Sequence, residues 1–353
     1  MGSDQISDTI RNAVLLESLK SSEVEKFEPF LRQIDRSLRE QLGKSELTEF
    51  KRARLEAMLA QVDEALGAIL GEFTDQLQLD LMDVAAWQAG AEASVVAAVV
   101  PSYTATIPAL STLKTAAFRS PLGVKGADGG KLLTPFIEDW SKSERSRVTG
   151  AIRQGWFEGK TNSEIMRTLR GTKDMKYTDG LLAITSRNAE AVTRTAIQHV
   201  AGQARNQFAR QNGDIVRGVK IIATLDGRTT AYCRSADGTE YAIDEGPRPP
   251  FHIRCRTSFI LLLKDALSLG ALADRASMNG QVKADTTYYE WIKTQPAAFQ
   301  DAVIGKARAK LFRDGGMTPE QFSDLQIGNN FKPRTLDQLR QMVPEAFERA
   351  GLN

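Results

Sequence analysis

Residues 188–212 have the sequence NAEAVTRTAIQHVAGQARNQFARQN, and this stretch decides the fold. Its apolar residues recur at the spacing of an amphipathic helix, and Asn212-Gly213 then provides a helix stop signal. The sequence therefore predicts a long helix at the start of a central domain. The expected apolar face consists of Ala189, Val192, Ala196, Ile197, Val200, Ala201, Ala204 and Phe208.

A β-rich segment follows this helix. Residues 219–225 (VKIIATL) are rich in β-branched side chains and predict a strand, which the turn dipeptide Asp226-Gly227 ends. A second turn dipeptide, Asp237-Gly238, separates residues 228–233 from residues 239–243. Two short strands on either side of a turn predict a β-hairpin.

A proline-rich return loop closes the central stretch. Each proline lacks a backbone N–H and restricts the residue before it, so residues 247–250 (PRPP) exclude regular structure. Residues 257–263 (TSFILLL) come soon after and form a short apolar run. This run predicts a buried strand.

Both cysteines and both histidines of the chain lie in the central stretch. His252 and Cys255 are separated by two residues and can point at one ion, and Cys233 can reach them from the predicted hairpin. These three residues predict a zinc site, but structural zinc sites close with four ligands. The candidates for the fourth ligand are Asp226, Asp244 and His199.

The same residues allow two arrangements without a metal. In the first, Cys233 and Cys255 are buried reduced thiols and His252 bonds to the backbone. In the second, the two cysteines form a disulfide, which is disfavoured in a chain without secretory features. The sequence leaves these alternatives open.

Three arginines of the predicted helix, Arg194, Arg205 and Arg210, fall outside its apolar face. One interpretation makes them solvated charges on an amphipathic helix. The other interpretation places one or two of them against phosphate or an acidic partner protein.

The order and spacing of several short motifs resemble those of one known family. The motifs run from an Arg-Thr pair on the predicted helix to a Cys-Arg pair at the end of the return loop. They resemble the pattern of the phage Mu F-type head morphogenesis, or minor head protein, family. The residues that carry the resemblance are Arg194, Thr195, Asp226, Arg228, Thr229, Cys233, Asp237, Gly238, Pro250, His252, Cys255 and Arg256.

The resemblance covers the chain from about Lys142 to Leu263. Three positions depart from the family pattern. Ala196 stands where the family often has an acidic residue, Ile253 where it has a proline, and Thr257 where it often has a cysteine.

The resemblance implies a structural component of a tailed-phage virion that aids capsid assembly, DNA packaging or genome delivery. It implies assembly in the host cytoplasm and a location in the capsid interior or at the portal vertex. The expected partners are the portal protein, other capsid or connector proteins and packaged DNA, with several copies in a ring-like or vertex assembly. The expected contacts to DNA or portal are Arg205, Arg210 and Arg254.

Two other function classes compete with this one. A nucleic-acid-binding module of the virion interior fits the basic part of the chain. A toxin-like enzyme domain is found beside this domain in some proteins of the resembled family. The sequence contains no phosphate loop, no G-x-S-x-G elbow and no H-E-x-x-H motif, so we predict that the chain is not an enzyme.

Charge is distributed unevenly along the 353 residues. Residues 1–100 hold 10 Lys and Arg against 18 Asp and Glu, which gives −8. Because the whole chain carries +2, the other residues carry +10, and the two parts are expected to have different neighbours. The N-terminal residues lack a secretory pattern and no apolar run is long enough to span a bilayer, so the sequence requires no membrane. Apart from zinc, no cofactor is expected.

The predicted fold class is α+β, a mostly α-helical chain with a small central mixed α/β domain and helical N- and C-terminal regions. Four consecutive regions are expected. They are an acidic helical region (1–100), a Pro/Gly-rich arm or linker (101–135), a Mu F-like central α+β domain (136–265) and a helical C-terminal tail (266–353).

Local signals predict where several helices begin. The motif Ser22-Glu23-Val24-Glu25 has the pattern of a capping box and predicts a helix start, as does the motif that begins at Thr161. Thr318 and Thr335 predict helix starts in the C-terminal tail. Residues 266–278 are expected to be helical.

Overall fold

The computed structural model describes residues 5–43, 52–264, 274–328 and 332–352. The chain is mostly helical with small antiparallel sheets, which confirms the predicted α+β class. It forms two compact units. The helical unit comprises Leu16–Ala86 and Leu110–Gln203, and the sheet unit comprises Met1–Leu15, Trp87–Ala109 and Ala204–Asn353.

Each unit is assembled from segments that are far apart in the chain, whereas composition divides the chain into four consecutive regions. Three helices, α1 (Gln5–Glu25), α3 (Arg52–Val99) and α7 (Leu181–Gln211), contribute residues to both units. Composition identifies stretches with similar amino-acid content, but it does not show which distant helices pack together.

The N-terminal region is helical, as predicted. It consists of α1 (Gln5–Glu25), α2 (Glu28–Gly43) and α3. The predicted helix start at Ser22 is wrong, because Ser22 lies inside α1 and the chain turns only at Lys26 and Phe27.

The core of the helical unit is built from apolar helix faces. In α2 the buried residues Ile34, Leu38 and Leu42 follow one another at four-residue intervals. Phe73 of α3 packs edge-on against Phe27, with ring centroids 4.8 Å apart, and against Trp140 at 5.7 Å. Trp140 belongs to α5 (Leu133–Phe157).

The predicted Pro/Gly-rich arm contains a helix, α4 (Leu110–Arg119). Its apolar residues Leu113, Ala116 and Ala117 are buried, but the pattern is too short to stand out among the surrounding prolines and glycines. After α4 the backbone of Leu122 bonds to Lys131 and to Gly130, so this part of the arm is also hydrogen-bonded.

The helices that precede the sheet follow the sequence signals. Helix α6 (Asn162–Arg170) begins with the predicted capping box, in which the Thr161 hydroxyl accepts from the Glu164 N–H and the Glu164 carboxylate accepts from the Thr161 N–H. Helix α7 is the predicted central helix, and its expected apolar residues are all buried.

A three-stranded antiparallel sheet follows α7, with β1 (Val216–Ile222) between β2 (Glu240–Tyr241) and β3 (Ser258–Leu263). Val219 of β1 pairs with Tyr241 on one side and with Leu261 on the other. Strand β3 is the predicted buried strand. Its burial follows from the apolar run that the sequence displays.

The predicted hairpin is wrong, because residues 231–236 form a short helix, α8 (Ala231–Ala236). Strand β2 pairs with β1 instead of with this segment. The physical cause lies in the preceding turn, where the Asp226 carboxylate accepts from the N–H groups of Arg228 and Thr229. These bonds turn the chain towards a helix before a strand can begin.

The C-terminal region begins with a hairpin of β4 (Asp274–Ser277) and β5 (Gly280–Lys283). The predicted helix is therefore wrong for residues 274–277, and residues 265–273 lie outside the described residues. Six helices follow in the described ranges: α9 (Tyr288–Lys293), α10 (Ala297–Ile304), α11 (Lys306–Asp314), α12 (Pro319–Gln326), α13 (Leu336–Met342) and α14 (Pro344–Arg349).

Thr318 and Thr335 cap α12 and α13, which confirms both predicted helix starts. Helices α9 to α14 enclose an aromatic cluster that includes Tyr289, Phe312 and Phe322. Within the described ranges, no helix combines the length and the apolar character that a membrane crossing requires.

Candidate functional site

The return loop brings three metal-binding side chains together in the sheet unit. Cys233 of α8 and Cys255 are buried, and His252 is half-buried. The Cys233 Sγ lies 3.3 Å from His252 Nε2 and 3.8 Å from Cys255 Sγ. The three potential ligand atoms all lie within 4.8 Å of one another. Both cysteines are free, so of the arrangements that the sequence allows, the disulfide is not the one in the structure.

The three groups alter one another's ionisation. The hydrogen bond with Cys255, followed by burial, raises the pKa of Cys233. Burial opposes ionisation of Cys255, but hydrogen bonds with Cys233 and His252 outweigh it and hold the pKa of Cys255 well below its usual range. Burial lowers the pKa of His252, whereas contact with Cys255 raises it and prevails. The ionisation of each of the three groups therefore depends on the other two.

The side chains proposed as a fourth ligand are engaged elsewhere. The Asp244 carboxylate pairs with Arg210, and the imidazole of His199 bonds to the Ala117 carbonyl at 3.0 Å. The Asp226 carboxylate accepts hydrogen bonds from the Thr229 N–H in its own turn and from the Arg256 guanidinium. Among the described residues, the Cys/His group has three members.

Asp226 organises the turn that leads into α8. Arg256 donates two hydrogen bonds to its carboxylate, at 2.5 and 2.9 Å, and the N–H groups of Arg228 and Thr229 donate at 3.0 and 3.1 Å. Burial alone would raise the pKa of Asp226, but the bonds from Arg256 outweigh it and the pKa lies below its usual value. The Thr229 hydroxyl also donates to Asp226, at 3.1 Å. These motif residues therefore lock a turn together.

Asp237 organises the next turn. Its buried carboxylate accepts from the N–H groups of Ala223 at 2.6 Å and Tyr288 at 2.7 Å, and it forms an ion pair with the buried Arg275 at 2.8 Å. The neighbouring Gly238 has a φ of 84°. A side chain there would be strained, and its Cβ would lie 2.9 Å from the Thr287 methyl group.

Pro250 follows Pro249 through a cis peptide bond, and both residues are buried. The next residue, Phe251, is buried in the sheet core beside Cys233 and Cys255. The return loop is thus fixed against the sheet by its apolar residues, while the His252 side chain faces the two thiols.

Residues 146–260 match the protein family described as Phage Mu protein F like protein. This segment is similar to that family. This confirms the predicted resemblance, which rested on motifs between Arg194 and Arg256. No curated protein and no solved structure matches the chain. The family supports a phage head morphogenesis protein and implies a location in the virion and interaction with other capsid proteins.

The Mu F-like segment contains one buried arginine that the sequence analysis placed in contact with DNA or portal. Arg205 is 3% exposed, and its guanidinium bonds to the Glu92 carboxylate at 2.5 Å and to the Ser258 hydroxyl at 2.6 Å. It also donates to the Phe259 carbonyl. The predicted external contact at Arg205 is therefore corrected to an internal ion pair, because its hydrogen-bonding groups are used within the fold.

Other arginines of the Mu F-like segment are more accessible. The Arg228 side chain is 84% exposed, and Arg210, which pairs with Asp244 at 2.7 Å, is 46% exposed. Arg254 is exposed and has a positive φ of 60°. Arg210 and Arg254 stay predictions as contacts to DNA or portal.

The first motif of the family lies in the helical unit. Arg194 pairs with Glu190 at 2.9 Å and with Glu17 at 3.5 Å. Thr195 is fully buried, and its hydroxyl donates to the Ala191 carbonyl within the same helix. Both residues thus make internal contacts.

Sequence reasoning missed the partners of the buried charges. Glu92 pairs with Arg205, and Arg275 pairs with Asp237. A signal for Glu92 was present, since Gln88 and Glu92 fall in phase with the apolar residues of α3. No comparable signal marks Arg275, which lies in a four-residue strand.

Proposed function

We propose that the chain is a minor head protein of a tailed phage that binds the portal protein and aids capsid assembly, DNA packaging or genome delivery. The observation that carries this proposal is the match of residues 146–260 to the Mu F-like family. Copies of the chain would surround the portal vertex, with the basic part of the chain towards packaged DNA.

The acidic helical region (1–100) is the proposed site of contact with the portal or another capsid protein. Its helix α3 carries Leu79, which is 67% exposed, next to Asp75 in a groove of the helical unit. Apolar surface that continues along a groove favours protein contact, and Met82 and Leu132 also line this groove. The groove also contains Lys114 and Phe118 of α4.

We infer a structural role in place of catalysis. The polar residues of the family motifs are largely used in holding turns together. Asp226 is occupied by Arg256, and Asp237 by Arg275 and by two backbone N–H groups. A general acid or base must reach the proton that it transfers, and these carboxylates are turned into the fold.

Co-expression with the portal protein of the same phage tests the proposal. We expect the two proteins to copurify with a defined stoichiometry and the variant Leu79→Asp to weaken the complex. Met342→Asp is the matched control, since Met342 is also exposed but lies in the C-terminal tail. The proposal would be contradicted if the chain were a monodisperse monomer that does not bind the portal protein and if purified virions lacked the chain.

Contact with DNA is tested separately by titrating duplex DNA at several salt concentrations. If Arg228 faces phosphate, Arg228→Ala should weaken binding equally for all sequences and reduce the salt slope by about one. Arg313→Ala is the control, because Arg313 pairs with Asp301 in the C-terminal tail. Absence of duplex binding would remove DNA from the partners and leave the portal proposal intact.

A further inference from the structure

The Cys/His cluster consists of side chains that come from two separate parts of the sheet unit. Cys233 lies in α8, and His252 and Cys255 lie on the return loop. The turn between His252 and Cys255 is closed by a hydrogen bond from the Cys255 N–H to the His252 carbonyl at 3.1 Å. A ligand bound by all three would therefore tie the return loop to α8.

The spacing of the ligand atoms matches a tetrahedral metal site. With Zn–S bonds of about 2.3 Å and Zn–N bonds of about 2.0–2.1 Å, two tetrahedral ligands lie about 3.8 Å apart for sulfur and sulfur and about 3.6 Å apart for sulfur and nitrogen. The Sγ atoms of Cys233 and Cys255 are 3.8 Å apart, and Cys233 Sγ is 3.3 Å from His252 Nε2. These distances allow one ion to touch all three atoms with little movement.

The imidazole is held in the orientation that a metal requires. The Nδ1 atom of His252 lies 2.9 Å from the Ile253 carbonyl oxygen. A carbonyl oxygen only accepts, so Nδ1 carries the proton and neutral His252 presents the Nε2 lone pair to the two thiols. Metal-binding histidines are usually fixed by such a bond from the second ring nitrogen.

We propose that Cys233, His252 and Cys255 bind a Zn²⁺ ion, with water as the fourth ligand, and that this ion clamps the return loop onto α8. Both thiols give up their protons to solvent when the ion binds, so two thiolates balance the charge of Zn²⁺. Water completes the site because, among the described residues, no fourth side chain of a suitable type joins the group.

Metal analysis of the full chain tests the clamp. Protein purified in reducing buffer without a metal-binding tag and then loaded with ZnCl₂ should retain stoichiometric zinc after gel filtration. Cys233→Ser and Cys255→Ser should each lose it. Cobalt in place of zinc should give thiolate-to-cobalt charge-transfer absorption in the parent protein and in neither serine variant. A strong chelator should lower the midpoint of thermal unfolding of the parent protein, and both serine variants should be insensitive to it.

A destabilised control separates metal loss from a general folding defect. Ile221→Ala removes a fully buried side chain of β1 that is outside the cluster. We expect this variant to unfold at a lower temperature and still to bind stoichiometric zinc. Substoichiometric zinc in the loaded parent protein, or a Cys233–Cys255 disulfide in protein kept under reducing conditions, would overturn the proposal.

The proposal that water is the fourth zinc ligand can be tested separately. The Thr257 hydroxyl bonds to Cys233, so a thiol at this position would lie beside the ion. Thr257→Cys should therefore replace the water and raise the affinity for zinc, as measured by competition with a chromophoric chelator. Unchanged affinity would count against a water-completed site.

Discussion

The helical unit and the sheet unit are stabilised in different ways. Among the ion pairs of the described residues, those with both side chains buried, Arg205–Glu92 and Arg275–Asp237, lie in the sheet unit. Packed rings occur in both units, for example Phe73 with Trp140 in the helical unit and Tyr289 with Phe312 in the sheet unit, so the buried ion pairs are what distinguishes the sheet unit. Removal of one partner leaves the other charge buried, whereas a truncated ring leaves a cavity that can relax. Arginine thus builds the fold in the unit where the sequence suggested that it meets DNA.

The largest effect is expected for Asp237→Ala in the sheet unit. The substitution removes the partner of the buried Arg275 and the acceptor of two backbone N–H groups, so the free energy of unfolding should fall by about 3–5 kcal/mol. Urea denaturation measures it. Asp244→Ala, at an exposed carboxylate that also pairs with an arginine, is the control and should change little. Equal effects of the two variants would remove the distinction between the units.

Phe73→Ala should have the largest effect in the helical unit. The ring packs against three others, and its loss should lower the free energy of unfolding by about 3 kcal/mol. Leu79→Ala on the same helix is the control, because Leu79 is exposed. A loss larger than that of Asp237→Ala would reverse the comparison.

The buried His199 makes the helical unit sensitive to acid. Burial lowers its pKa to about 4, against an ordinary value of 6.5. The unfolded chain therefore binds the proton more readily, and stability falls as the pH drops through 6.5 towards 4. Between pH 7 and pH 5 the loss should be about 2 kcal/mol.

Urea denaturation of the parent protein and of His199→Gln at both pH values checks this prediction. The variant should lose about 2 kcal/mol less stability between pH 7 and pH 5 than the parent protein does. The raised pKa of His252 acts in the opposite sense, but it is common to both proteins and cancels in the difference. Identical pH profiles would show that His199 does not contribute.

Helix caps should have the smallest effect, and it should be similar in both units. Thr161 and Thr287 form equivalent capping boxes at the starts of α6 and α9. Thr161→Ala and Thr287→Ala should each lower the free energy of unfolding by about 1 kcal/mol in denaturation experiments. A much greater loss for Thr287→Ala would mean that local caps also depend on the buried charges nearby.

Sequence periodicity predicted much of the fold. The apolar spacing in α7 and the apolar run of β3 identified both elements, and the Thr161 motif identified the start of α6. Periodicity failed at α8, where side-chain bonds from Asp226 decide the direction of the chain. It also failed at β4, which depends on pairing with β5.

The candidate site was predicted in part. The sequence placed Cys233, His252 and Cys255 in one group, and their distances agree with that grouping. The fate of Arg205 could not be predicted, because its partner Glu92 lies more than a hundred residues earlier in the chain. The periodicity of a helix shows which of its faces is polar. It does not identify the distant side chain that pairs with a polar residue on that helix.

The matched segment, residues 146–260, does not contain all that its own buried charges need. Glu92 lies upstream of it, and Arg275 and Tyr288 lie downstream. If gene exchange between phages replaced only this segment, its buried charges would have to pair with the side chains present in the flanks of the recipient chain. Viable crossovers should therefore carry the flanking partners along.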